Sequence, residues 1–342
     1  MKLDNTKQFL ENAKSEKVFG DYVLVVRRGA ERAALFSDGC GMETLFDIAS
    51  MGKVLVTAPL ILKAVGEGLL SLDDTLPRFF ANVPQEKQAV TVRQLLTHTS
   101  GIVRIPLPLS VTEQGRDAVA ALILSAPLAF APGTSNVYSC NGFILLGYIA
   151  ELLYGAPLDR LFETMLKPAL GLNRSCFDLA VDAPDAVVCY RRSDAGVCRC
   201  DDENVYNMRG VAGSGASFWN AADIERYVEA VMGKSPALYA PELYGLAERD
   251  YTPSFGEGRG LGWVMVDARM RQTGKLFPQG SFGHCGHTGT SFFMNRETGL
   301  SVILLTNATR FANMKNNFRG YDYETVKRLR EEIHNRILSD IG

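Results

Sequence analysis

The sequence predicts a mixed α/β (α+β) fold in which one sheet is assembled from both ends of the chain and carries an inserted helical domain. Apolar segments typical of strands lie near the N-terminus (DYVLVVRRG and AERAALFSDG) and again near the C-terminus (LGWVMVDA, SFFMN and SVILLTN). The segments between them have mostly helical periodicity. We therefore expect residues 1–72 and 251–342 to form the sheet domain and residues 73–250 to form a mostly helical insertion.

The N-terminal elements follow from their apolar patterns. Residues 5–17 can form an amphipathic helix, and the first two strands are joined by a short turn around Gly29. From Ser50 to about Gly68 the chain is apolar nearly all round, with only three charged residues. That pattern predicts a helix buried in the middle of the protein, with Ser50 at its N-terminus.

The middle of the chain contains five segments of helical pattern: TVRQLLTHT, RDAVAALILS, CNGFILLGYIAELLYG, PLDRLFETMLKPALG and NAADIERYVEAVMG. Gly155 follows the third segment as a stop signal, and Asn220 precedes the last one as a start signal. Towards the C-terminus, a turn at residues 296–299 separates the last two strands, and a long amphipathic helix is expected over about 322–338.

Composition argues against several classes of partner. The 342 residues include 36 Lys and Arg against 38 Asp and Glu, a net charge of −2, so no basic face is available for nucleic acid. The N-terminal residues lack the apolar run of a signal peptide, and no uninterrupted stretch of about 18 apolar residues predicts a membrane span. We therefore expect a cytoplasmic protein that binds neither nucleic acid nor a membrane.

The cysteines indicate reduced thiols. Their number, seven, is odd for a secreted disulfide framework, and they are spread along the chain. Cys189, Cys198 and Cys200 lie close together in the sequence, but their spacing lacks the paired C-x-x-C of a structural zinc site. No metal is expected there.

The first motif that carries chemistry is Ser50-x-x-Lys53, in the stretch LFDIASMGKVLV. Its Gly-Lys pair does not fit a phosphate loop, because that pattern would place its first Gly at Asp47 and its final Ser or Thr at Val54. If Ser50 opens a helix, the Lys53 amine lies on the same face and can take the hydroxyl proton, provided that burial lowers the pKa of the amine. The alternative is an N-capping serine with a surface lysine, and the buried character of the helix argues against it.

Five segments carry a resemblance that covers nearly the whole chain. They are FDIASMGK, TVRQLLTHTSGI, VYSCNGFILLGYIAELLYG, CDDENVYNMRGVAGSGASFWNAADIERYV and FGHCGHTGTSFFMNRETGLSVILLTN. In this order and spacing they resemble the serine β-lactamase-like hydrolases, which include class C β-lactamases, penicillin-binding D,D-peptidases, D-amino-acid peptidases and related esterases. The resemblance implies a β-lactamase/transpeptidase-like fold: an antiparallel sheet flanked by helices, an all-helical inserted domain, and the active site in the cleft between them.

The resemblance also implies roles for three residues. Ser50 would attack a carbonyl carbon and become acylated, and Lys53 would hold and activate it. Tyr138 would carry a proton between the nucleophile, the leaving group and the deacylating water. Such a tyrosine works near neutral pH only if neighbouring cations lower its pKa from about 10. No metal or organic cofactor is implied, and the partner would be a small-molecule or short-peptide substrate.

The second family motif is altered in this chain. Where the family has Tyr-x-Asn, residues 138–140 read Tyr-Ser-Cys, so the Cys140 thiol stands where an amide would contact the lysine and the substrate. Asn141 is adjacent but lies about 100° further round a helix. Both Cys140 and Asn141 are candidate substrate-binding residues, and we expect substrate orientation or turnover to differ from the family pattern.

The third family motif has two possible registers. Residues 287–289 read His-Thr-Gly, a literal form of the motif, but the spacing to the following strand favours residues 284–286, His-Cys-Gly. In the favoured register His284 faces the site, Cys285 replaces a threonine, and the small Gly286 leaves room for the substrate.

The two histidines of this region carry further expectations. The backbone N–H groups of Ser50 and His287 would form the oxyanion hole. His284 and His287 are three residues apart on a predicted strand and should point to opposite faces, which argues against a shared metal. Because His284 stands where the family often has a lysine, binding of carboxylated substrates should weaken above about pH 7 if it depends on this histidine.

Other marked residues have structural interpretations. His98 should hold a turn, and His334 should lie on the polar side of the last helix. The glycines at 210, 213 and 215 should shape a loop near the cleft.

The leading functional hypothesis is a serine hydrolase acting through an acyl-enzyme on Ser50. Its substrate would be an ester, a D-amino-acid amide or peptide, or a β-lactam-like compound, and the cytoplasmic location favours an esterase or a small-peptide amidase. The alternative is a catalytically impaired penicillin-binding-like or ligand-binding protein that kept the fold.

Overall fold

The computed structural model describes residues 1–180, 192–194, 197–215, 217–269, 272–311 and 322–342, so that Cys189 lies outside the described residues. The strands are β1 (Tyr22–Arg28), β2 (Glu31–Phe36), β3 (Phe46–Asp47), β4 (Leu179–Ala180), β5 (Arg192–Asp194), β6 (Val197–Arg199), β7 (Phe218–Trp219), β8 (Val264–Met265), β9 (Phe282–Cys285), β10 (Ser291–Asn295) and β11 (Leu300–Thr306). The helices are α1 (Asp4–Ser15), α2 (Ala58–Gly66), α3 (Val92–Leu96), α4 (Leu109–Thr112), α5 (Arg116–Ser125), α6 (Cys140–Tyr154), α7 (Leu158–Leu161), α8 (Lys167–Ala169), α9 (Glu203–Asn207), α10 (Ala221–Met232), α11 (Leu243–Ala247) and α12 (Tyr323–Ile341).

Strands from both ends of the chain form one antiparallel sheet with the order β2-β1-β11-β10-β9-β8. Within it β1 links the two ends, because Val25 lies opposite Ala34 of β2 on one side and Ile303 of β11 on the other. Further along the sheet β10 pairs with β9, where Phe292 lies opposite His284. The prediction of one sheet assembled from both termini is confirmed.

Both faces of this sheet are covered by helices. Along β1, Val23 and Val25 belong to the core that includes α2, α6 and α10, whereas Leu24 and Val26 belong to the core that includes α1 and α12. Successive residues of a strand point to opposite faces, so a strand with two buried faces must be apolar throughout. The continuous apolar runs of β1 and β11 have this cause.

Two predicted helix ends are confirmed, Gly155 after α6 and Asn220 before α10, and the structure adds Ser139 as the N-cap of α6. Before α6 the Ser139 hydroxyl accepts the N–H of Gly142 at 3.1 Å, and after it Gly155 has a φ of 69°. Before α10 the Asn220 side chain accepts the N–H of Asp223 at 2.7 Å. Each contact satisfies a backbone N–H that has no partner inside its helix.

The helix predicted from Ser50 is buried, as expected, but it is not regular. Ala49–Met51 form a 3₁₀ turn and Lys53–Thr57 form a π-helical turn before α2 begins. Pro59 in the first turn of α2 has no N–H, so regular α-helical bonding cannot continue through this point. Within the described part of the chain the segment 49–66 is long and apolar enough to span a membrane, but 72% of it is buried inside the fold.

The strand predicted from LGWVMVDA is shorter than expected. Only Val264–Met265 pair with β9, because the chain turns before them at Gly262, which has a φ of 89°. A Cβ atom on Gly262 would lie 3.0 Å from the Cβ of Ala58, so this turn packs closely on α2. The domain boundaries at residues 72 and 251 stay predictions, and α10, inside the predicted insertion, packs against β1 and β11 of the sheet.

The prediction for His334 is wrong. Its side chain is fully buried on α12, with its ring centroid 5.2 Å from that of Phe277 and 5.8 Å from that of Phe293. The segment that contains Phe277 covers a second face of α12, which the sequence pattern of the helix alone does not reveal. Burial lowers the pKa of His334 to about 4.

Candidate active site

A cavity of about 570 Å³ lies where the sheet and the helical segments meet. Six of the nine predicted site residues line it: Ser50, Tyr138, Cys140, His284, Cys285 and His287. Lys53 lies directly behind Ser50 and is fully buried. Asn141 and Gly286 are not among the lining residues.

The Lys53 amine has three neighbours that match a neutral amine. Its Nζ lies 3.1 Å from the Ser50 hydroxyl, 2.5 Å from the carbonyl oxygen of Ser214 and 3.5 Å from the Cys140 sulfur. A neutral amine has two N–H donors and one lone pair; the carbonyl and the sulfur can accept the two donors, which leaves the lone pair for the Ser50 proton. Burial lowers the pKa of Lys53, which favours this neutral form.

The turn that presents Ser50 is held from beneath by Asp47. One carboxylate oxygen of Asp47 accepts the N–H of Ala49 at 2.8 Å, and the other accepts the N–H of Asp201 at 2.9 Å. Ala49 has a φ of 47°, a conformation that costs a residue with a Cβ atom free energy. Burial raises the pKa of Asp47 to about 6. The carboxylate therefore anchors the strained residue immediately before the nucleophile.

The glycine-rich loop lies against the nucleophile segment, as predicted. A Cβ atom on Gly215 would lie 2.6 Å from the carbonyl oxygen of Ala49, and one on Gly213 would lie 2.1 Å from the carbonyl oxygen of Phe143. Only glycine permits this approach at both positions. The loop thereby brings the Ser214 carbonyl within hydrogen-bonding distance of Lys53.

Tyr138 lies at the mouth of the cavity, with 38% of its surface exposed, and its phenol is hydrogen-bonded to Ser50. Its ring centroid is 4.9 Å from the Lys53 amine and 4.7 Å from the ring centroid of His98. The structural role predicted for His98 is confirmed, because its Nδ1 accepts the N–H of Ser139 at 3.1 Å.

The condition set for Tyr138, that neighbouring cations lower the pKa of its phenol, is not met. Desolvation raises the pKa of this phenol well above 10, and the Cys140 sulfur acts in the same direction. The hydrogen bond to Ser50 and the charge of Arg259 lower it by less. The neighbouring cations therefore do not produce a phenolate, and Tyr138 is a proton donor near neutral pH.

The third motif lies at the end of β9. His284 and Cys285 belong to the strand, whereas residues 287–289 lie in the turn that follows. The register favoured from the sequence, 284–286, therefore begins on the strand. His284 and His287 nevertheless both line the cavity. The expectation of opposite faces is wrong because the strand ends at Cys285 and its alternation ends with it.

Gly286 has a different use from the one expected. A Cβ atom there would lie 2.1 Å from the Thr290 hydroxyl and 2.6 Å from the carbonyl oxygen of Ile48. The missing side chain lets the turn approach the segment before Ser50, and it does not open space for the substrate. On the far side of this turn the buried Arg330 donates to the carbonyl oxygens of Gly286, at 2.5 Å, and Gly289, at 3.2 Å.

The expected charge change of His284 near pH 6.5 is wrong. Desolvation lowers its pKa well below 6.5, and the charge of Arg259 lowers it further. Its Nδ1 lies 2.8 Å from the carbonyl oxygen of Cys285, which can only accept, so Nδ1 carries the proton. Nε2 is then a lone-pair acceptor. Burial likewise lowers the pKa of His287 to about 4.

Asn141 does not substitute for the missing family amide. Its side chain is fully buried on α6, away from the cavity lining, as its rotation of about 100° from Cys140 requires. In the described part of the chain neither its amide nitrogen nor its amide oxygen has a hydrogen-bond partner.

Sequence reasoning missed the charged residues of the cavity, among them Asp47 and Arg259. Asp47 could have been found as a carboxylate between Phe46 and Ile48 in a buried apolar segment. Arg259 also lines the cavity, is 6% exposed, and places its guanidinium 5.7 Å from the Tyr138 ring centroid. The sequence has no comparable signal for Arg259, because only the folded chain brings its loop to Tyr138.

The described residues contain no group of three or more His, Cys, Asp and Glu side chains that could hold a metal ion. Of the clustered cysteines, Cys200 is buried beside the cavity, and Cys189 lies outside the described residues.

Comparisons with known proteins agree with this geometry. The family model described as "Beta-lactamase" matches residues 5–321. A protein of Escherichia coli (strain K12), by its name a candidate D-alanyl-D-alanine carboxypeptidase, is 27% identical over 299 residues, which cover 77% of this chain and 69% of that protein.

Solved structures share the fold. A β-lactamase/D-alanine carboxypeptidase from Pseudomonas syringae matches with a TM-score of 0.77 at 18% identity, covering 99% of each chain. EstCE1, a hydrolase with promiscuous acyltransferase activity, matches with a TM-score of 0.73 at 21% identity, covering 97% of this chain and 98% of that one.

Proposed function

This chain belongs to the beta-lactamase family and is a serine hydrolase, and we propose that it works through an acyl-enzyme on Ser50. The observation that carries the proposal is the 3.1 Å contact between the Ser50 hydroxyl and the buried Lys53 amine. A serine hydroxyl is a weak nucleophile unless a nearby base takes its proton.

In the acylation step Lys53 takes the Ser50 proton as the serine oxygen attacks the substrate carbonyl carbon. Burial lowers the pKa of Lys53, which increases the share of neutral amine available for this transfer. The contacts of Nζ with Ser214 and Cys140 keep its lone pair aimed at the hydroxyl. The proposed oxyanion hole consists of the backbone N–H groups of Ser50 and His287.

Tyr138 acts as the proton donor to the leaving group. Its phenol is bonded to Ser50, and its raised pKa keeps the proton in place until a more basic leaving-group oxygen or nitrogen develops. Lys53, protonated in the attack, restores the tyrosine. Water then enters by the reverse path and releases the acyl group.

The preferred substrates are esters, ahead of D-amino-acid amides and β-lactam-like compounds. Cys140 contacts Lys53 at the position from which a family asparagine would also hold an amide substrate, and a thiol is a weaker hydrogen-bonding group than an amide. The names of the carboxypeptidase relative and of the structurally similar EstCE1 fit a site that transfers acyl groups.

The test is covalent labelling of the pure protein with a fluorophosphonate probe and, separately, with benzylpenicillin, followed by intact mass and peptide mapping. We expect one adduct, on Ser50, which is lost in Ser50→Ala and kept in Ser110→Ala, a control at an exposed serine on α4. A penicillin adduct that persists indicates slow deacylation, and one that disappears with product formation indicates β-lactamase activity.

A folded protein that neither reagent labels would overturn the proposal. The alternative, a ligand-binding protein that kept the fold, would then be favoured, with Cys140 and Cys285 as the first residues to revert.

A further inference from the structure

The Cys140 thiol lies in direct contact with the amine that serves the nucleophile. It is a free thiol, its sulfur is 3.5 Å from Lys53 Nζ, and the part of Cys140 that is exposed lines the active-site cavity. Cys140 is also the first residue of α6. The positive end of a helix and a neighbouring proton acceptor both favour the negatively charged form of a thiol, which is the form that reacts with oxidants.

The Lys53 amine is a second nucleophile at the same place. Burial lowers its pKa and favours the neutral amine, the form that can attack an electrophilic atom. Its polar contacts are the Ser50 hydroxyl, the Ser214 carbonyl oxygen and the Cys140 sulfur. Of these three atoms the sulfur is the one that mild oxidation makes electrophilic. An oxidised Cys140 would therefore form in contact with an amine that is already in place.

A hydroxyl without a partner lies beside this pair. Oγ of Ser214 is buried and lines the cavity, and among the described residues it has no hydrogen-bond partner. The carbonyl oxygen of the same residue contacts Lys53. A buried hydroxyl that the protein leaves unpaired indicates a place for an oxygen atom from outside the protein. A peroxide has such an oxygen and is small enough to enter the cavity.

We propose that Cys140 and Lys53 form a modification site, at which a peroxide joins them through a sulfur–nitrogen bond (a sulfenamide) and reversibly blocks the active site. The blocking rests on the acyl-enzyme function proposed for Ser50, because a nitrogen bonded to sulfur no longer serves as the base for the serine hydroxyl.

The first step oxidises the sulfur by two electrons. Lys53 takes the thiol proton, the sulfur attacks one oxygen of hydrogen peroxide, and the O–O bond breaks. The hydroxide that leaves takes the proton from Lys53 and becomes water, so that Cys140 is a sulfenic acid and the amine is neutral again.

The second step needs no further oxidant. The neutral amine attacks the sulfur, the S–O bond breaks, and the leaving hydroxide takes one amine proton as water. In total one thiol, one amine and one peroxide give one sulfenamide and two waters. Two molecules of an added thiol reverse the link: they restore Cys140 and Lys53 and become a disulfide.

A disulfide between Cys140 and Cys285 is the competing product, since both cysteines line the cavity. A sulfenic acid forms a disulfide with a thiolate, and burial raises the pKa of the Cys285 thiol. The Lys53 amine, in contrast, reacts in the form that burial favours. We therefore expect the amine to react first.

The test treats the reduced full-length protein with hydrogen peroxide, blocks the remaining thiols with iodoacetamide and maps chymotryptic peptides without a reducing step. We expect a linked pair of peptides, one with Lys53 and one with Cys140, lighter than their sum by two hydrogen atoms. Hydrolysis of p-nitrophenyl butyrate by the same samples should fall about tenfold or more, as loss of a general base predicts. Dithiothreitol should restore both the separate peptides and the activity.

Three variants assign the link. Cys140→Ala should form none and should keep, under peroxide, the activity that it has without peroxide. Lys53→Met should stop at an oxidised Cys140 that dimedone labels, because the trapping amine is absent. Cys40→Ala is the matched control, since Cys40 is a free thiol outside the cavity lining, and it should form the link as the wild-type protein does.

A Cys140–Cys285 disulfide, a sulfinic acid on Cys140 or an unmodified thiol, each without a link to Lys53, would overturn the proposal. Equal inactivation of Cys140→Ala and the wild-type protein by peroxide would overturn the claim that the link blocks the site. Failure of the proposed function would look different, because untreated wild-type protein would then hydrolyse no ester, while the peptide map would still show whether the link forms.

Discussion

Two walls of the active-site cavity differ in how their polar groups are used. The nucleophile wall, residues 47–53 with the loop 213–215, ties its charged groups into the protein: Lys53 has three polar neighbours, and Asp47 holds two backbone N–H groups. The strand wall consists of β9 and Arg259. Among the described residues, Nε2 of His284 has no hydrogen-bond donor and Nη1 of Arg259 has no acceptor. We propose that the first wall serves the chemistry and the second the recognition of the substrate.

Removing Lys53 should have the largest effect on catalysis. A small effect would contradict the role given to the nucleophile wall. In Lys53→Met we expect kcat for p-nitrophenyl butyrate to fall about 10³-fold, because a general base contributes about 10² to 10⁴. The melting temperature should not fall, since the variant no longer buries an amine whose pKa burial has lowered.

Lys63→Met is the control for this variant, because Lys63 lies on the same helical segment but pairs with Glu67 at the surface. It should keep wild-type kcat. If Lys53→Met kept activity within tenfold, or lost it only by unfolding, Lys53 would not be the base.

The next largest effect should come from Tyr138→Phe and should depend on the leaving group. A protonated tyrosine is needed when the leaving group is a poor one, so kcat/KM for an alkyl ester should fall about 10²-fold. The p-nitrophenolate ion leaves without a proton, and kcat/KM for its ester should fall less than about tenfold. Equal losses on the two esters would assign Tyr138 to another role.

A smaller effect, about tenfold, is expected at Cys140, which lines the cavity and contacts Lys53. In Cys140→Asn the side chain regains an amide that can contact both Lys53 and an amide substrate, so the rate of hydrolysis of a D-alanine anilide relative to a butyrate ester should rise. Cys140→Ala tests whether the gain belongs to the amide. If both variants behaved alike, removal of the thiol and not addition of the amide would be the cause.

The smallest effect should be the pH dependence of carboxylate recognition. A histidine whose pKa is lowered gains its proton only below that value, and the pKa of His284 is lowered well below 6.5, so its charge should not change between pH 7 and 8. The ratio of kcat/KM for mono-p-nitrophenyl glutarate to kcat/KM for its methyl ester should therefore vary less than about twofold over this range. A fall of this ratio above pH 7 would indicate that a charged His284 binds the substrate carboxylate.

Much of the fold and six of the residues that line the cavity could be predicted from the sequence. Apolar runs of strand length, the glycine after α6 and the asparagine before α10 are local signals, and they hold in the structure. The Ser50–Lys53 pair could be predicted because its spacing places both side chains on one face of a helix, whereas the role of Tyr138 follows only from the family resemblance.

The remaining features depend on contacts between distant segments. The burial of His334 by Phe277, the neutral state of His284 and the approach of Arg259 to Tyr138 all require the order of strands and the desolvation that it produces. A single sequence has no local pattern for these. The late start of β8, at Val264, has one local signal in the sequence, the glycine at position 262.

The pairing of β1 with β11 has a consequence for the order of events during synthesis. The nucleophile, the lysine and the tyrosine are all translated in the first half of the chain, but β9 and Arg330, which supports its turn, come near the end. Closing so long a loop is entropically costly and slow compared with local folding. A nascent chain on the ribosome therefore carries a serine and a lysine without the wall that binds the substrate, and acyl transfer becomes possible only after the last strands have joined the sheet.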